Sequence, residues 1–285
     1  MRIAIQEHGR LAHLAAGIRR FTKEQEELGT SVRDVVVPME SLERADVYFF
    51  WGFRAASTLE AKTRSRGAIA VIADKGFLRR PSVMFGLNDW GAKGTYLQVP
   101  RRKADIEEWR YAEQKRALII GQEPRDFSTL SATKNYRGWI ADTKTQLESE
   151  GWEVKVREHP RNLIHAPASV PRPQPLVDDL NDTTLVVGLT SSALIEASIY
   201  GLPVVAMGEH SLANAVSTKL AEPDLTEPKG RQEYFDWMAG QCWTYAELAS
   251  GSAWEAIRGQ LTAESVESAG RPEGRARTAR KGSQS

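Results

Sequence analysis

The stretch Val186-Val-Gly-Leu-Thr-Ser-Ser-Ala-Leu-Ile-Glu-Ala-Ser-Ile-Tyr-Gly-Leu-Pro-Val-Val205 decides the reading of this chain. An apolar run ends at Gly188, Thr190 or Ser191 stands where a helix takes an oxygen-bearing cap, and Gly201 stands where that helix must stop before a second apolar run. The spacing predicts a strand over 184–188, a helix over 192–200 and a strand over 203–207. Parallel strands joined in this way put the start of the helix at the carboxyl edge of a sheet, where free amides and the helix dipole favour an anion. The hydroxyls of Thr190, Ser191 and Ser192 add donors for a phosphate, and Glu196, one turn further in, suits a ribose hydroxyl. A plain capped helix in an α/β sheet would carry the same pattern, so the rest of the chain has to decide.

Upstream the same alternation recurs. Apolar runs at 1–5, 32–37, 47–51 and 68–73 read as buried strands, with helices at 11–28 and 55–66 between them. From 81 to 103 the rhythm breaks into Gly, Asn, Pro and basic residues, a connecting or active-site region. It restarts with a strand at 117–121, a helix at 136–150 and a strand at 153–157. Five of the 13 prolines then fall between Pro160 and Asp179, which predicts a surface loop with a solvated Asp178-Asp179 pair. After Gly230 the pattern is helical, with Tyr234, Trp237, Met238, Trp243, Leu248, Trp254 and Ile257 as packing residues. A length of 285 residues fits two domains, read here as 1–112 and 113–262 with closing helices, followed by a disordered basic tail at 263–285. The fold class expected is α/β, two Rossmann-like domains with C-terminal helices.

Hydrophobic residues make up 41% and charged residues 26%, values that exclude a collagen-like, fibrous or wholly disordered chain. The single Cys242 closes no disulfide and builds no Cys/His zinc spacing, and neither a signal peptide nor a membrane span is read, so a cytoplasmic location is expected. Net charge is +1, but residues 270–285 hold five basic residues and one acid. The remaining body therefore carries 33 basic against 36 acidic residues, which argues against a broad surface that grips duplex DNA by phosphate neutralisation.

Three segments could carry chemistry beside the capped helix. Asp126 follows a buried strand in a loop with Pro124, a placement that projects a carboxylate able to attack an anomeric carbon, to deprotonate an acceptor, or simply to cap the turn at Ser128. His159 sits at a strand end fixed by Pro160 and can donate to a phosphate, with Arg157 either neutralising that phosphate or lying on the surface. Arg79 and Arg80, with Arg101, Arg102 and Lys103, bracket a segment holding Phe85, Trp90 and Tyr96, which suits a sugar chain or an unstacked base unless it is a solvated rim. The histidines share no metal-ligand spacing, and His210 reads as a loop residue near the donor pocket, so no metal is expected.

The pattern Glu196-x-x-x-x-Gly201-x-Pro203-Val204-Val205 resembles the donor-binding segment of glycosyltransferases of the GT-B fold, in which two Rossmann-like domains face across a cleft. Gln122 to Asp126 matches a QxxxD motif and His159-Pro160 an HP motif, both resembling the capsule-polysaccharide Kdo transferases. Trp51-Gly52-Phe-Arg54 and Asp74-Lys-Gly76-Phe77-Leu78-Arg79 resemble the WG and (E/D)DGFxR segments of that family, in the same order, with Lys75 a departure. The resemblance implies that Asp126 is the nucleophile of a retaining double displacement and that Gln122 positions donor or sugar. With His159 these are the expected catalytic residues, while Arg157, Thr190, Ser191, Ser192 and Glu196 are expected to hold the donor and Arg79, Arg80 and Trp90 the acceptor.

The expected activity is metal-independent transfer of a sugar from a nucleotide-activated donor, a co-substrate rather than a cofactor. The acceptor is a glycan or a hydroxymethylated base in bacteriophage DNA, with the short length and basic tail fitting the latter. The rival reading is a non-catalytic nucleotide- or polysaccharide-binding module of the same fold.

Overall fold

A computed structural model of the chain describes residues 1–37, 45–52, 68–87, 92, 95–99, 102–163 and 174–261. Two sheets organise it. The first contains β1 (Arg2–Ile5), β2 (Val35–Val37), β3 (Val47–Trp51), β4 (Ile69–Lys75) and β5 (Ser82–Gly86), with α1 (Ala12–Glu27) between β1 and β2. The second contains β6 (Arg116–Ile120), β7 (Glu153–Arg157), β8 (Leu185–Gly188) and β9 (Val204–Ala206). Its helices are α2 (Phe127–Ala132), α3 (Tyr136–Ser149), α4 (Leu176–Asn181) and α5 (Ser192–Ile199). The chain ends in α6 (Arg231–Gln241), β10 (Trp243–Thr244), α7 (Tyr245–Ser250) and α8 (Ser252–Arg258).

The first sheet runs β10-β5-β4-β3-β1-β2, parallel from β4 to β2 and antiparallel where β5 meets β4 and β10 meets β5. The second runs β7-β6-β8-β9 and is parallel throughout. Sheets covered on both faces need apolar residues at successive positions rather than alternate ones. β3 shows this directly: Val47 and Phe49 belong to one core cluster and Tyr48 and Phe50 to another on the opposite face. The predicted helix at 55–66 lies outside the described residues. Strand β5, inside the stretch read as irregular, is a buried five-residue strand whose Phe85 is in the core instead of on an acceptor platform.

The closing helices do not stay with the second sheet. β10 pairs Trp243 with Val83 and Thr244 with Ser82, and α7 and α8 pack on α1. One apolar cluster accordingly joins Ile3, Phe49 and Phe85 to Trp243, Leu248, Trp254 and Ile257. A second cluster joins Leu78 and Met84 to Leu118, Val186, Phe235 and Met238, so the two sheets share continuous buried contact. The buried carboxylate of Asp34 accepts from Trp254 Nε1 at 3.0 Å and from the Arg258 guanidinium, fixing α8 to the first sheet.

Glycine is required at two of these contacts. Gly201 has φ of +82°, stops α5 as predicted, and leaves no room for a Cβ, which would lie 2.1 Å from the Glu108 carbonyl. Gly17, on the buried face of α1, lies where a Cβ would stand 1.8 Å from the Leu248 carbonyl. Gly17→Ala should therefore force α1 and α7 apart and cost about 1–3 kcal/mol in denaturant unfolding. Gly9→Ala, where nothing lies within 4 Å, should be nearly neutral in the same measurement.

Candidate functional site

The carboxyl ends of strands from both sheets face one cavity of about 420 Å³, within the range of small-ligand sites. From the first sheet come Trp51 ending β3 with Gly52 after it, and Asp74 and Lys75 ending β4. From the second come Asp126 to Ser128 after β6, Thr190 to Ser192 after β8, Arg161 and His210.

The loop after β8 behaves as its sequence requires. Ser191 is the N-cap of α5, its hydroxyl accepting from Ala193 N at 3.2 Å. The backbone amides of Ser191 and Ser192 and the Ser192 hydroxyl have no hydrogen-bond partner among the described residues, and all three groups belong to cavity-wall residues. Unpaired amides at a helix start favour an anion. Thr190 is held from behind: Gln122, only 6% exposed, accepts from Thr190 N at 2.8 Å and donates to Thr190 Oγ1 at 3.1 Å. The Gln122 amide is thus spent in stitching the β6 and β8 loops together, and it positions Thr190 without entering the cavity wall.

Asp126 does two things at once. Its Oδ1 accepts from the amide and the hydroxyl of Ser128, both at 2.9 Å, and so caps α2. Its Oδ2 has no partner among the described residues and belongs to a side chain lining the cavity. Asp74 is a site residue that the sequence reading quoted in a motif but gave no role. Its Oδ1 accepts from Lys75 N at 2.7 Å. Asp74 is exposed at the cavity wall, with protein atoms crowded around it. Loss of surrounding water is the main cause that raises its pKa above the ordinary carboxylate range, with the negative charge of Asp126 adding and Lys75 and Arg10 opposing.

His159 is half-buried and stands next to the wall rather than in it. Its Nδ1 accepts from Arg161 N at 3.2 Å, which leaves Nε2 to carry the proton of the neutral ring. Burial first, and then the Arg161 charge, lower its pKa, so the neutral ring dominates at pH 7. Arg161, two residues on, lines the cavity and pairs with Glu123 at 3.1 Å.

Four expected site residues are used elsewhere. Arg157 is 12% exposed and bonded to the Asp179 carboxylate and the Gln174 carbonyl, so its charge is compensated away from the cavity. Asp179 is correspondingly 7% exposed rather than solvated, held by Arg157 and Lys155. Glu196 pairs with Arg80 at 2.9 Å, linking α5 to the loop after β4. Arg79 makes a two-pronged contact with Glu247 at 3.0 and 3.1 Å, and Arg102 meets the same carboxylate while lying 4.8 Å from the Trp243 ring. Trp90 and Arg101 lie outside the described residues. Tyr96, from the same segment, does line the cavity. The signal for Arg161 was its place two residues past His159, inside the turn Pro160–Leu163.

No protein-family model matches the chain, and no curated protein matches it. Among solved structures, the chain is similar to a KpsC β-Kdo 2,4 transferase of Thermosulfurimonas dismutans, with 84% of this chain and 90% of that one covered, 14% identity and a TM-score of 0.53. A KpsC β-Kdo 2,7 transferase of the same organism is matched over 84% of this chain and 89% of that one, at 16% identity and a TM-score of 0.49. The fold is GT-B-like. Two Rossmann-like domains face across a cleft, and C-terminal helices cross back to the first of them. Among the described residues no helix is long and apolar enough to cross a membrane.

The electrostatics of the carboxylate pair can be checked without any substrate. Removing the negative charge of Asp126 removes one cause of the raised pKa at Asp74, because the ionised form no longer meets a like charge. NMR titration of Asp74 should therefore give a lower pKa in Asp126→Asn than in the parent chain.

Proposed function

We propose that the protein transfers a sugar from a nucleotide-activated donor to a hydroxyl acceptor in this cavity, and that the acceptor is a glycan. The observation that carries the reading is the meeting, at one cavity, of two carboxylates and a helix start with unused donors. A module that only bound nucleotide would have no use for a carboxylate pair beside its anion site.

In the mechanism, the donor's phosphate lies at the amides of Ser191 and Ser192, with Arg161 supplying positive charge and His159 able to donate its Nε2–H toward the same anion. The unpaired Oδ2 of Asp126 attacks the anomeric carbon. The bond from that carbon to the phosphate oxygen breaks, and its electron pair leaves with the nucleotide. The acceptor hydroxyl then displaces Asp126, giving its proton to Asp74, so that two inversions return the original anomeric configuration. Asp74 must be ionised to take that proton, and its raised pKa makes it a better base than an ordinary carboxylate. The leaving phosphate is carried by amides and Arg161, and the reading assigns no metal to it.

Nucleotide sugars are screened by thermal stabilisation, and those that bind are then tested for turnover with glycan acceptors. Asp126→Asn should lower transfer by about a thousandfold or more while donor affinity stays within about tenfold, because the lost interaction belongs to the transition state. Transfer that survives in Asp126→Asn removes that residue from the reaction, and transfer to hydroxymethylated DNA in place of glycans reassigns the acceptor. Activity should be unchanged by EDTA. The rate limb governed by Asp74 should rise with pH, with its midpoint above the usual carboxylate range, since the base works only when deprotonated.

A further inference from the structure

Asp126 is held by one neighbour through two donors. The amide and the hydroxyl of Ser128 both reach its Oδ1 at 2.9 Å, and both residues line the cavity. The amide bond is the ordinary cap of α2, which every residue but proline would supply at position 128. The hydroxyl is an addition that the cap does not require. Ser128 is itself fixed by the turn that carries it: Thr129 is fully buried with its hydroxyl 3.5 Å from the Gln122 side-chain nitrogen, and Ser131 Oγ donates to the Ser128 carbonyl at 2.8 Å.

In a double displacement the charge on Asp126 changes twice. As a free carboxylate its Oδ1 shares the negative charge and accepts charge-assisted hydrogen bonds. In the glycosyl ester, with Oδ2 bonded to the anomeric carbon, Oδ1 is a neutral carbonyl oxygen and accepts more weakly. A second donor on Oδ1 therefore stabilises the carboxylate more than the ester. It restrains the attack of the first step and assists the second, in which the acceptor oxygen bonds to the anomeric carbon, the bond from that carbon to Oδ2 breaks with its electron pair returning to Asp126, and the acceptor proton passes to Asp74.

We propose that Ser128 is a positioning residue whose hydroxyl, acting through Oδ1 of Asp126, hastens release of the sugar from Oδ2, so that the glycosyl-enzyme does not accumulate. This rests on the transferase reading and deepens it by naming the step that the surroundings of the nucleophile favour. A serine that only shaped α2 would leave the balance between the two steps unchanged.

The test reads the ratio of glycosylated to free enzyme during turnover, by mass spectrometry of the intact, acid-quenched protein. The donor is a nucleotide sugar that the unaltered chain turns over, held at saturation, and the acceptor is lowered until the adduct is just measurable in the unaltered chain. Ser128→Ala keeps the amide cap and should raise that ratio by about tenfold, the contribution of one hydrogen bond to a charged group, with donor affinity and the thermal midpoint of unfolding retained. Ser128→Thr returns a hydroxyl and should bring the ratio back toward that of the unaltered chain. A ratio in Ser128→Ala that is unchanged or lower, or the same ratio in the alanine and threonine variants, overturns the proposal, while turnover by the unaltered chain keeps the transferase reading standing. No turnover of any nucleotide sugar by the unaltered chain overturns that reading, and the role of Ser128 with it.

Discussion

The pairing of two residues, Trp243 and Thr244, with the edge of the first sheet sets the relation between the halves of this molecule. The chain leaves the first sheet, builds the second, and then returns to complete the core it left. Everything after Gln241 therefore acts as a brace. Glu247, on α7, holds Arg79 and Arg102 at once, and its side chain also accepts from Thr244 N at 2.8 Å, so one carboxylate anchors the loop after β4, the approach to the second sheet and the returning strand. The cavity walls face each other because this brace and the apolar contact of Leu78 and Met84 with Phe235 and Met238 leave the sheets little freedom to separate.

Within that frame, each wall of the cavity brings a carboxylate together with positive charge: Asp74 beside Lys75 from the first sheet, and Asp126 with the helix start and Arg161 from the second. The arrangement has a physical logic for an enzyme. A carboxylate kept short of water and next to another carboxylate holds its proton more readily, while one bonded to Ser128 through a single oxygen keeps the other free. Two chemically identical side chains are in this way given different environments.

The alternation of strands and helices was legible because each apolar run is long enough to be buried on both faces and each helix carries its own stop signal. Ser191 and Gly201 are local devices, and local devices can be read from local sequence. Asp126 was legible as both a cap and a cleft residue, and it combines the two. β5 escaped because five residues ending in glycine, paired antiparallel, lack the rhythm of the strands before it. Partners distant in sequence escaped altogether. Nothing near Arg79 announces Glu247, which lies 168 residues away, and nothing near Arg157 announces Asp179 across a proline-rich loop. Their charges were visible, but the carboxylates that neutralise them became visible only in three dimensions. Arg161 rather than Arg157 lines the cavity because it sits past the strand end, where a side chain clears the sheet.

The burial of Trp254 and Ile257 beneath strands that begin at residue 2 has a consequence for how the molecule comes into being. On the ribosome, β1, β3 and β4 emerge long before the helices that cover them, and until then α1 lacks its partners. The second sheet, built from a nearly continuous segment, can condense first, while the first sheet stays open and waits for the final turns of the chain. Long-range closure of this kind slows folding and lengthens the time that apolar strands stand exposed. The N-terminal half is thus the last to be completed, and a chain cut short before the closing helices would lack the partners of α1 and part of the first sheet's core.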